Sequence, residues 1–213
     1  LQSLAKENPG IEVLELDITD HLAVNRCIED IEKTHGEIDM VINCAAIMPL
    51  GLLAEQDVTV MHRLFDINVK GTININKAIL PFFLKRKKGV IVNFASVAGW
   101  IPCMYFGAYD ATKFAVVAFS EVLYHENRHN GLQVCCVCPP PVKTPMLLEA
   151  NIRPNIIDEM ELVTPEQVLD TLDKSLAKKQ LFCFPGKLTK LSVFIRRWFP
   201  AIPWRTDHKA AGF

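Results

Sequence analysis

A serine, a tyrosine and a lysine in the middle of the chain have the residue types and the spacing needed for chemistry at a carbonyl group. Ser96 follows a short apolar run, Tyr109 stands 13 residues later, and Lys113 follows Tyr109 by four. On a helix, this Tyr-x-x-x-Lys spacing places the phenol and the ammonium on one face, one turn apart. A neighbouring cation favours phenolate, so we expect the pKa of Tyr109 to fall from about 10 toward neutrality. Such a tyrosine can protonate a ketone or deprotonate an alcohol while the serine hydroxyl holds the same oxygen.

The elements that must position these side chains alternate between short β-rich runs and longer helical stretches. Strands are predicted at residues 11–17, 38–43, 90–94, 132–138 and 181–184, and the second is expected to be buried on both faces. Helices are predicted at residues 20–35, 57–88, 108–129 and 164–179. The long second helix should carry Phe65, Val69, Ile73 and Ile75 inward. Residues 142–163 hold no clear element and predict a long loop or two short helices.

Strands separated by helices of this length predict an α/β fold with a doubly wound, Rossmann-like parallel sheet and right-handed crossovers. In such sheets ligands bind beyond the carboxyl ends of the strands, which here are Asp17, Asn43, Phe94 and Cys138. Residues 1–186 are predicted to form one domain, and residues 187–213 a basic amphipathic tail.

The composition excludes several classes of protein. Half of the residues are apolar and the net charge is -1, so the chain can bury a core and has no general attraction for nucleic acid. Seven cysteines suit no disulfide framework, which indicates reduced thiols and a cytosol-like compartment. We expect no metal site. His125-Glu-Asn-Arg-His129 matches a zinc-peptidase pattern, but the six to eight residues after it contain no third histidine. The thiols of Cys135, Cys136 and Cys138 should be split between two faces of a core strand.

Five motifs, in order along the chain, resemble those of the classical short-chain dehydrogenases/reductases. They are Leu16-Asp-Ile-Thr-Asp20, Asn43-Cys-Ala-Ala46, Asp66-Ile-Asn-Val-Lys-Gly71, Ser96 with Tyr109 and Lys113, and Pro139-Pro-Pro-Val-Lys-Thr144. The resemblance is continuous from Leu1 to about Thr144.

This resemblance implies roles for individual residues. Tyr109 would be the general acid/base, Lys113 would lower its pKa and hold the nicotinamide ribose, and Ser96 would orient the substrate oxygen. Asn68 would perturb its helix and hold a water that relays protons to Lys113. NADP or NAD would supply hydride, because none of these side chains can donate one. The implied cofactor-binding residues are Asp17, Ile18, Asn43, Ala45, Tyr109, Lys113, Pro139, Val142 and Thr144.

Three features depart from the family pattern. The Thr-Gly-x-x-x-Gly-x-Gly phosphate loop does not occur in the sequence, so we expect a fragment whose first βαβ unit is largely missing, or else a natural truncated product. Cys44 and Ala46 replace Asn and Gly in the second motif, a change that should have little effect. Pro140 replaces a flexible Gly and should stiffen the loop beside the nicotinamide.

The residues around the predicted site indicate a small hydrophobic carbonyl or alcohol substrate, such as a lipid, steroid or retinoid, and hence a role in lipid metabolism. The expected cleft lining is Trp100, Ile101, Met104, Tyr105, Phe106, Met146, Leu147 and Leu148. The alternative is an inactive, truncated member of the family that dimerises through its two long helices, and a homo-oligomer is expected in either case.

The carboxyl-terminal tail suggests a second kind of partner. Residues 187–209 carry six Lys or Arg residues against one acid, which gives a net charge of +5, and apolar residues are interleaved among them. This pattern fits peripheral contact with an anionic membrane on the cytoplasmic side. It fits equally a last helix that packs on the domain or on a second subunit.

Overall fold

The computed structural model describes residues 2–150, 152, 154–155, 157 and 160–211. Within these residues, four parallel strands form one sheet in the order β1-β2-β3-β4. The strands are β1 (Met40–Asn43), β2 (Gly89–Phe94), β3 (Leu132–Val137) and β4 (Phe182–Cys183). Met40 lies opposite Val90 in the first pair and Gly89 opposite Leu132 in the second, so the carboxyl ends of the strands meet at one edge of the sheet.

The helices lie close to their predicted positions. They are α1 (Gln2–Glu7), α2 (His21–Thr34), α3 (Val58–Phe65), α4 (Thr72–Arg86), α5 (Gly107–Asn127), α6 (Pro145–Leu148), α7 (Pro165–Ala177), α8 (Thr189–Trp198) and α9 (Ala201–Ala211). The Asp20 carboxylate caps α2, and Thr164 forms a capping box with Gln167 at the start of α7. The expected loop at 142–163 contains α6 and one parallel bridge between Val142 and Val163.

Helices cover both faces of the sheet, which confirms the α/β fold class. On one face Ile91 and Val134 pack against residues of α2, α4 and α5, and on the other Val92 and Val137 pack against α7. Every connection steps in the same direction along the sheet, yet α7 lies on the face opposite to α4 and α5. The β3–β4 connection therefore has the opposite hand to the two before it, and the expectation of uniformly right-handed crossovers is wrong.

Two predictions about strands are also wrong. Residues 11–17 form no strand, because extended backbone becomes a strand only when a neighbour completes its hydrogen bonds, and no described strand pairs with this segment. β1 is not buried on both faces, since the side chains of Met40 and Ile42 are 41% and 51% exposed. Among the described strands, β1 pairs with β2 alone and lies at the edge of the sheet.

The long predicted helix is interrupted by a π-helical turn at Asp66–Gly71, which joins α3 to α4. A π turn accommodates an extra residue and so rotates the helix faces on either side relative to each other. As a result Leu64 is fully buried, whereas Phe65, predicted to face inward, is exposed. Val69, Ile73 and Ile75 are half-buried.

A buried asparagine in β2 connects the sheet to two helices. The Asn93 Oδ1 accepts hydrogen bonds from Asn43 Nδ2 at 2.8 Å and from Asn76 Nδ2 at 3.0 Å. Its Nδ2 donates to Ser120 Oγ at 3.0 Å. One amide group therefore ties together β1, β2, α4 and α5, and it is fully buried.

We expect Asn93→Ala to lower the free energy of unfolding by about 3 kcal/mol, because it leaves several interior polar groups without a partner. Asn74→Ala is a matched control on α4. Its half-buried amide donates to the Ile18 carbonyl at 2.9 Å, where water can replace it, so the loss should be about 1 kcal/mol or less. Urea unfolding followed by circular dichroism measures both, and equal losses would contradict the special role of Asn93.

Candidate active site

A largely apolar cavity of about 490 Å³ opens at the carboxyl ends of the strands. Its wall contains six of the predicted catalytic and cofactor-binding residues: Ser96, Tyr109, Lys113, Pro139, Val142 and Thr144. The edge of the sheet thus brings together side chains that lie far apart in the sequence.

Ser96 lies two residues after the end of β2 and directly before a short 3₁₀ turn at Val97–Gly99. Its hydroxyl accepts a hydrogen bond from the Ala98 backbone N–H at 3.1 Å, which fixes the side chain at the start of the turn. A Cβ atom at Gly99 would lie 2.7 Å from the carbonyl oxygen of Lys113. Only a glycine allows this turn to pack directly on α5, and that packing holds Ser96 beside the helix that carries Tyr109 and Lys113.

Tyr109 and Lys113 occupy successive turns at the start of α5, and both are buried. The Lys113 Nζ donates to the Phe94 carbonyl at 3.0 Å and lies 5.5 Å from the centroid of the Tyr109 ring. The ammonium is therefore held between the end of β2 and the tyrosine.

Burial dominates the protonation of both groups. It raises the pKa of the Tyr109 phenol, and a hydrogen bond with Ser96 partly offsets this. Burial lowers the pKa of Lys113 to about 8, against the opposing effect of neighbouring thiols. The expected fall in the pKa of Tyr109 toward neutrality is therefore wrong for the chain as described, because the sequence reveals the neighbouring cation but not the cost of removing both groups from water.

Asn68 lies inside the π-helical turn, behind the cavity wall. Its Oδ1 accepts from the Ile47 N–H at 2.9 Å, and its Nδ2 donates to the Ile47 carbonyl at 3.0 Å and to Thr112 Oγ1 at 3.2 Å. These bonds fasten the chain segment after β1 to α5. Asn68 is buried but does not line the cavity.

The predicted cofactor-binding residues divide into two groups. Pro139, Val142 and Thr144 line the cavity, and the Pro139 carbonyl accepts from the Val97 N–H at 2.9 Å. The remaining residues lie outside its wall: Asp17, Ile18, Asn43 and Ala45.

The four residues outside the cavity wall either form hydrogen bonds elsewhere in the chain or are exposed to solvent. Asn43 bonds Asn93, Ala45 is exposed, and the Ile18 carbonyl accepts from Asn74. The exposed Asp17 carboxylate accepts from the backbone N–H and the hydroxyl of Thr19, which lowers its pKa.

The apolar residues that line the cavity match only part of the lining predicted from the sequence. Four of the expected residues line the cavity: Ile101, Phe106, Met146 and Leu147. Trp100 instead packs edge-on against Phe182, with ring centroids 5.1 Å apart, and Leu148 is exposed. Met104 and Tyr105 line a second cavity.

Sequence reasoning missed two buried polar residues. Asn93 carries no motif signal beyond being an amide within an apolar strand. Asp110 directly follows Tyr109, and its Oδ2 accepts from the Cys103 N–H at 2.8 Å. Burial raises the pKa of Asp110 to about 8, although that hydrogen bond opposes the rise. The presence of an acidic residue inside the Tyr-x-x-x-Lys motif, directly after the tyrosine, could have identified Asp110 from the sequence.

Other predictions concern the cysteines and metal binding. All seven cysteines are free, and Cys135 packs on the opposite face of β3 from Cys136 and Cys138, as the alternation of a strand predicts. Among the described residues, no group of three or more His, Cys, Asp or Glu side chains could hold a metal ion.

Comparison with known sequences gives a consistent family match. The sequence profile of the family described as short chain dehydrogenase matches residues 1–155. The oxidoreductase UcpA of Salmonella typhimurium is 31% identical over 200 residues, which cover 92% of this chain and 73% of the relative. The 3-ketodihydrosphingosine reductase of Bacteroides thetaiotaomicron is 34% identical over 151 residues, which cover 68% of this chain and 55% of the relative.

Solved structures share the fold. ElxO with bound NADP superposes with a TM-score of 0.75 at 25% sequence identity, covering 88% of this chain and 84% of ElxO. A short-chain dehydrogenase/reductase from Burkholderia phymatum in complex with NAD superposes with a TM-score of 0.81 at 20% identity, covering 94% of this chain and 80% of that chain.

The low pKa of Lys113 predicts that Lys113→Met stabilises the protein. The buried ammonium destabilises the folded state until it loses its proton. At about pH 7 the free energy of unfolding of the variant should therefore be about 2 kcal/mol higher than that of the unmodified chain, after subtraction of the lost hydrogen bond to Phe94. The cost is fully present below the folded pKa and is lost as the pH rises toward the unfolded value, so the gain should fall to about half by about pH 9.

Urea unfolding at the two pH values measures this difference. Lys70→Met is the control, because Lys70 is exposed and its ion pair with Asp66, one turn away, lies at the surface, so its effect should be small at both pH values. A gain for Lys113→Met that grows with pH would contradict the assignment.

Proposed function

Because this chain belongs to the short-chain dehydrogenase family, a family of oxidoreductases, we propose that it interconverts a hydrophobic secondary alcohol and a ketone with NAD or NADP. The observation that carries the proposal is the placement of Ser96, Tyr109 and Lys113 on the wall of one apolar cavity at the carboxyl ends of the strands. The order of the five motifs along the sequence supports it.

The residues of the cavity fit the nicotinamide end of such a cofactor. Pro139, Val142 and Thr144 line the same cavity as Lys113, and so do Cys44 and Ala46 from the segment after β1. We propose that these residues, with Asp17, Ile18, Asn43 and Ala45 toward the adenine end, hold NAD or NADP. When bound, the reduced cofactor supplies the hydride that no side chain of this site can donate.

We propose that the Tyr109 phenol transfers the proton to or from the substrate oxygen. Burial raises the pKa of its phenol, so the side chain is protonated near neutral pH and can donate to a ketone oxygen. Ser96, which hydrogen-bonds Tyr109, is placed to hold the same substrate oxygen. Charged Lys113 beside the ring would stabilise the phenolate left after proton transfer, and Asn68 would position the start of α5 through Thr112.

The preference for a hydrophobic substrate rests on the lining of the cavity. Ile101, Phe106, Met146 and Leu147 form much of its apolar wall. The similarity to a 3-ketodihydrosphingosine reductase, whose name denotes a lipid ketone, supports the same substrate class and a place in lipid metabolism.

A second candidate function is an interaction module without catalytic activity. It is favoured by apolar side chains exposed on the two long helical segments, among them Phe65, Phe114 and Val122. A second copy of the chain could cover them, which would give a homodimer. Cofactor binding separates the two candidates, since the module needs none.

We further propose that the tail contacts an anionic membrane surface on the cytoplasmic side. Helix α8 and the residues that flank it expose an apolar stripe that contains Leu191, Phe194 and Trp198, with Lys190 and Arg197 alongside. No helix among the described residues is long and apolar enough to cross a bilayer. Apolar side chains interleaved with cations suit a helix that lies in the interface.

Tyr109→Phe should reduce kcat by about 10³-fold, because the proton donor is lost, while the affinity for NADP or NAD changes little. Turnover is followed by nicotinamide absorbance with hydrophobic ketones, and cofactor affinity by calorimetry. Tyr105→Phe is the control, since this tyrosine lines the second cavity and not the first, and the variant should keep turnover near that of the unmodified chain. Persistent turnover in Tyr109→Phe would refute the acid/base role, and no cofactor binding by the unmodified chain would favour the interaction module.

The membrane proposal predicts that the full chain cosediments with phosphatidylserine-containing vesicles and not with pure phosphatidylcholine vesicles. Lys190→Gln with Arg197→Gln should weaken binding at least about tenfold, at roughly 1 kcal/mol per charge. The control is Lys178→Gln with Lys179→Gln, which removes two exposed charges outside the tail. Equal losses in the two double variants would show that the attraction is not specific to the tail.

A further inference from the structure

The carboxyl group of Asp110 has one oxygen whose position suggests a ligand. Asp110 is only 3% exposed, and its Oδ2 accepts the Cys103 N–H at 2.8 Å. Its Oδ1 is buried and, in the part of the chain that the structure describes, has no hydrogen-bond partner. A buried polar atom without a partner is costly, so a group that supplies the missing hydrogen bond would be bound favourably.

Asp110 lies in the wall between two cavities. One is the cavity that contains Ser96 and Tyr109, and the other, also about 490 Å³, is lined by apolar residues that include Phe114 and Trp204. Because Asp110 and Tyr109 both line the first cavity, a substrate whose carbonyl reaches the phenol occupies the same cavity as this carboxyl group.

The surroundings favour a neutral ligand group. No described Lys or Arg side chain forms an ion pair with Asp110. Burial, with a further contribution from the Asp207 carboxylate, raises its pKa to about 8, so the acid is mostly protonated near neutral pH. A protonated carboxyl group offers one O–H donor, and a hydroxyl or carbonyl oxygen can accept it.

We propose that Asp110 is a specificity-determining residue that hydrogen-bonds a second oxygen of the substrate, next to the carbonyl held by Ser96 and Tyr109. The inference rests on the proposed function and narrows its substrate class. The preferred substrate is an apolar ketone with a hydroxyl or carbonyl group on a neighbouring carbon, and not a simple alkyl ketone.

A purely structural role for Asp110 makes a different prediction. The bond from Cys103 to Oδ2 already explains how the acid fixes the loop before α5, and it needs nothing from Oδ1. A structural residue would therefore affect all substrates alike, whereas a specificity-determining residue changes their relative rates.

The test uses the full chain and three matched probes: a medium-chain aliphatic ketone, its α-hydroxy derivative and its α-amino derivative. We expect kcat/KM for the hydroxy ketone to exceed that for the plain ketone by about tenfold or more. In Asp110→Leu this ratio should fall to near one, whereas Asp110→Asn should keep most of it, because the amide still donates. Glu121→Gln, which changes an exposed acid on the same helix, is the control and should retain the ratio, since it leaves Asp110 and Asp207 in place. Asp110→Ala replaces the leucine variant if that variant does not fold, as judged by circular dichroism.

Calorimetric affinities for the same probes provide a readout that needs no turnover. Equal affinities and rates for the hydroxy and plain ketones in the unmodified chain would overturn the role of Asp110 and leave the proposed function intact. A preference for the amino ketone that Asp110→Asn loses would overturn the neutral-oxygen assignment. If no probe is turned over, the proposed function fails, and a binding preference for the hydroxy ketone that Asp110→Leu lacks would still support the role of Asp110.

Discussion

The amide of Asn93 is the interaction on which the geometry of the site depends. It is fully buried, and its three hydrogen bonds reach Asn43 on β1, Asn76 on α4 and Ser120 on α5. Apolar contacts alone would allow these elements to slide against one another, since they are not directional. Sliding would break the hydrogen bonds of the buried amide and leave its polar groups unpaired, which is costly, so the amide fixes the position of these elements relative to one another. The π-helical turn with Asn68 precedes α4, Ser96 follows β2, and Tyr109 begins α5, so this one amide fixes the elements that carry the site.

Burial in this framework also sets the chemical state of the site. It raises the pKa of Tyr109 and lowers that of Lys113, so it moves the proton affinities of the two groups apart. A free tyrosine and a free lysine differ little in pKa, and both lie far above neutrality. In the cavity, Lys113 titrates closer to neutral pH while Tyr109 holds its proton more tightly. The same desolvation that costs stability therefore prepares a proton donor beside a cation whose charge responds to modest changes in its surroundings.

Much of the fold and the centre of the site could be predicted from the sequence, because both depend on local patterns. Apolar runs and capping residues located four of the five predicted strands and most of the helices, and the spacing of Ser96, Tyr109 and Lys113 identified the side chains that share the cavity. The errors arise where a distant partner decides the outcome. Residues 11–17 have the pattern of a strand but no described neighbour, and the π-helical turn rotates Phe65 outward. The role of Asn93 could not be predicted, because each of its partners lies at least 17 residues away.

The loop before α5 shows how such distant contacts shape the substrate side of the cavity. The N–H groups of two consecutive residues, Cys103 and Met104, are held by carboxyl groups from different helices, Asp110 on α5 and Asp207 on α9. The next residue, Tyr105, has a φ of 70°, and its carbonyl accepts from the Gly51 N–H at 2.9 Å. A β-carbon disfavours this left-handed conformation, so the surrounding hydrogen bonds must maintain it. Because Asp207 belongs to the tail, the helix that follows the exposed apolar stripe is bonded to the same loop that separates the two cavities. Any displacement of the tail therefore removes one of the bonds that hold this loop beside Tyr109 and Asp110.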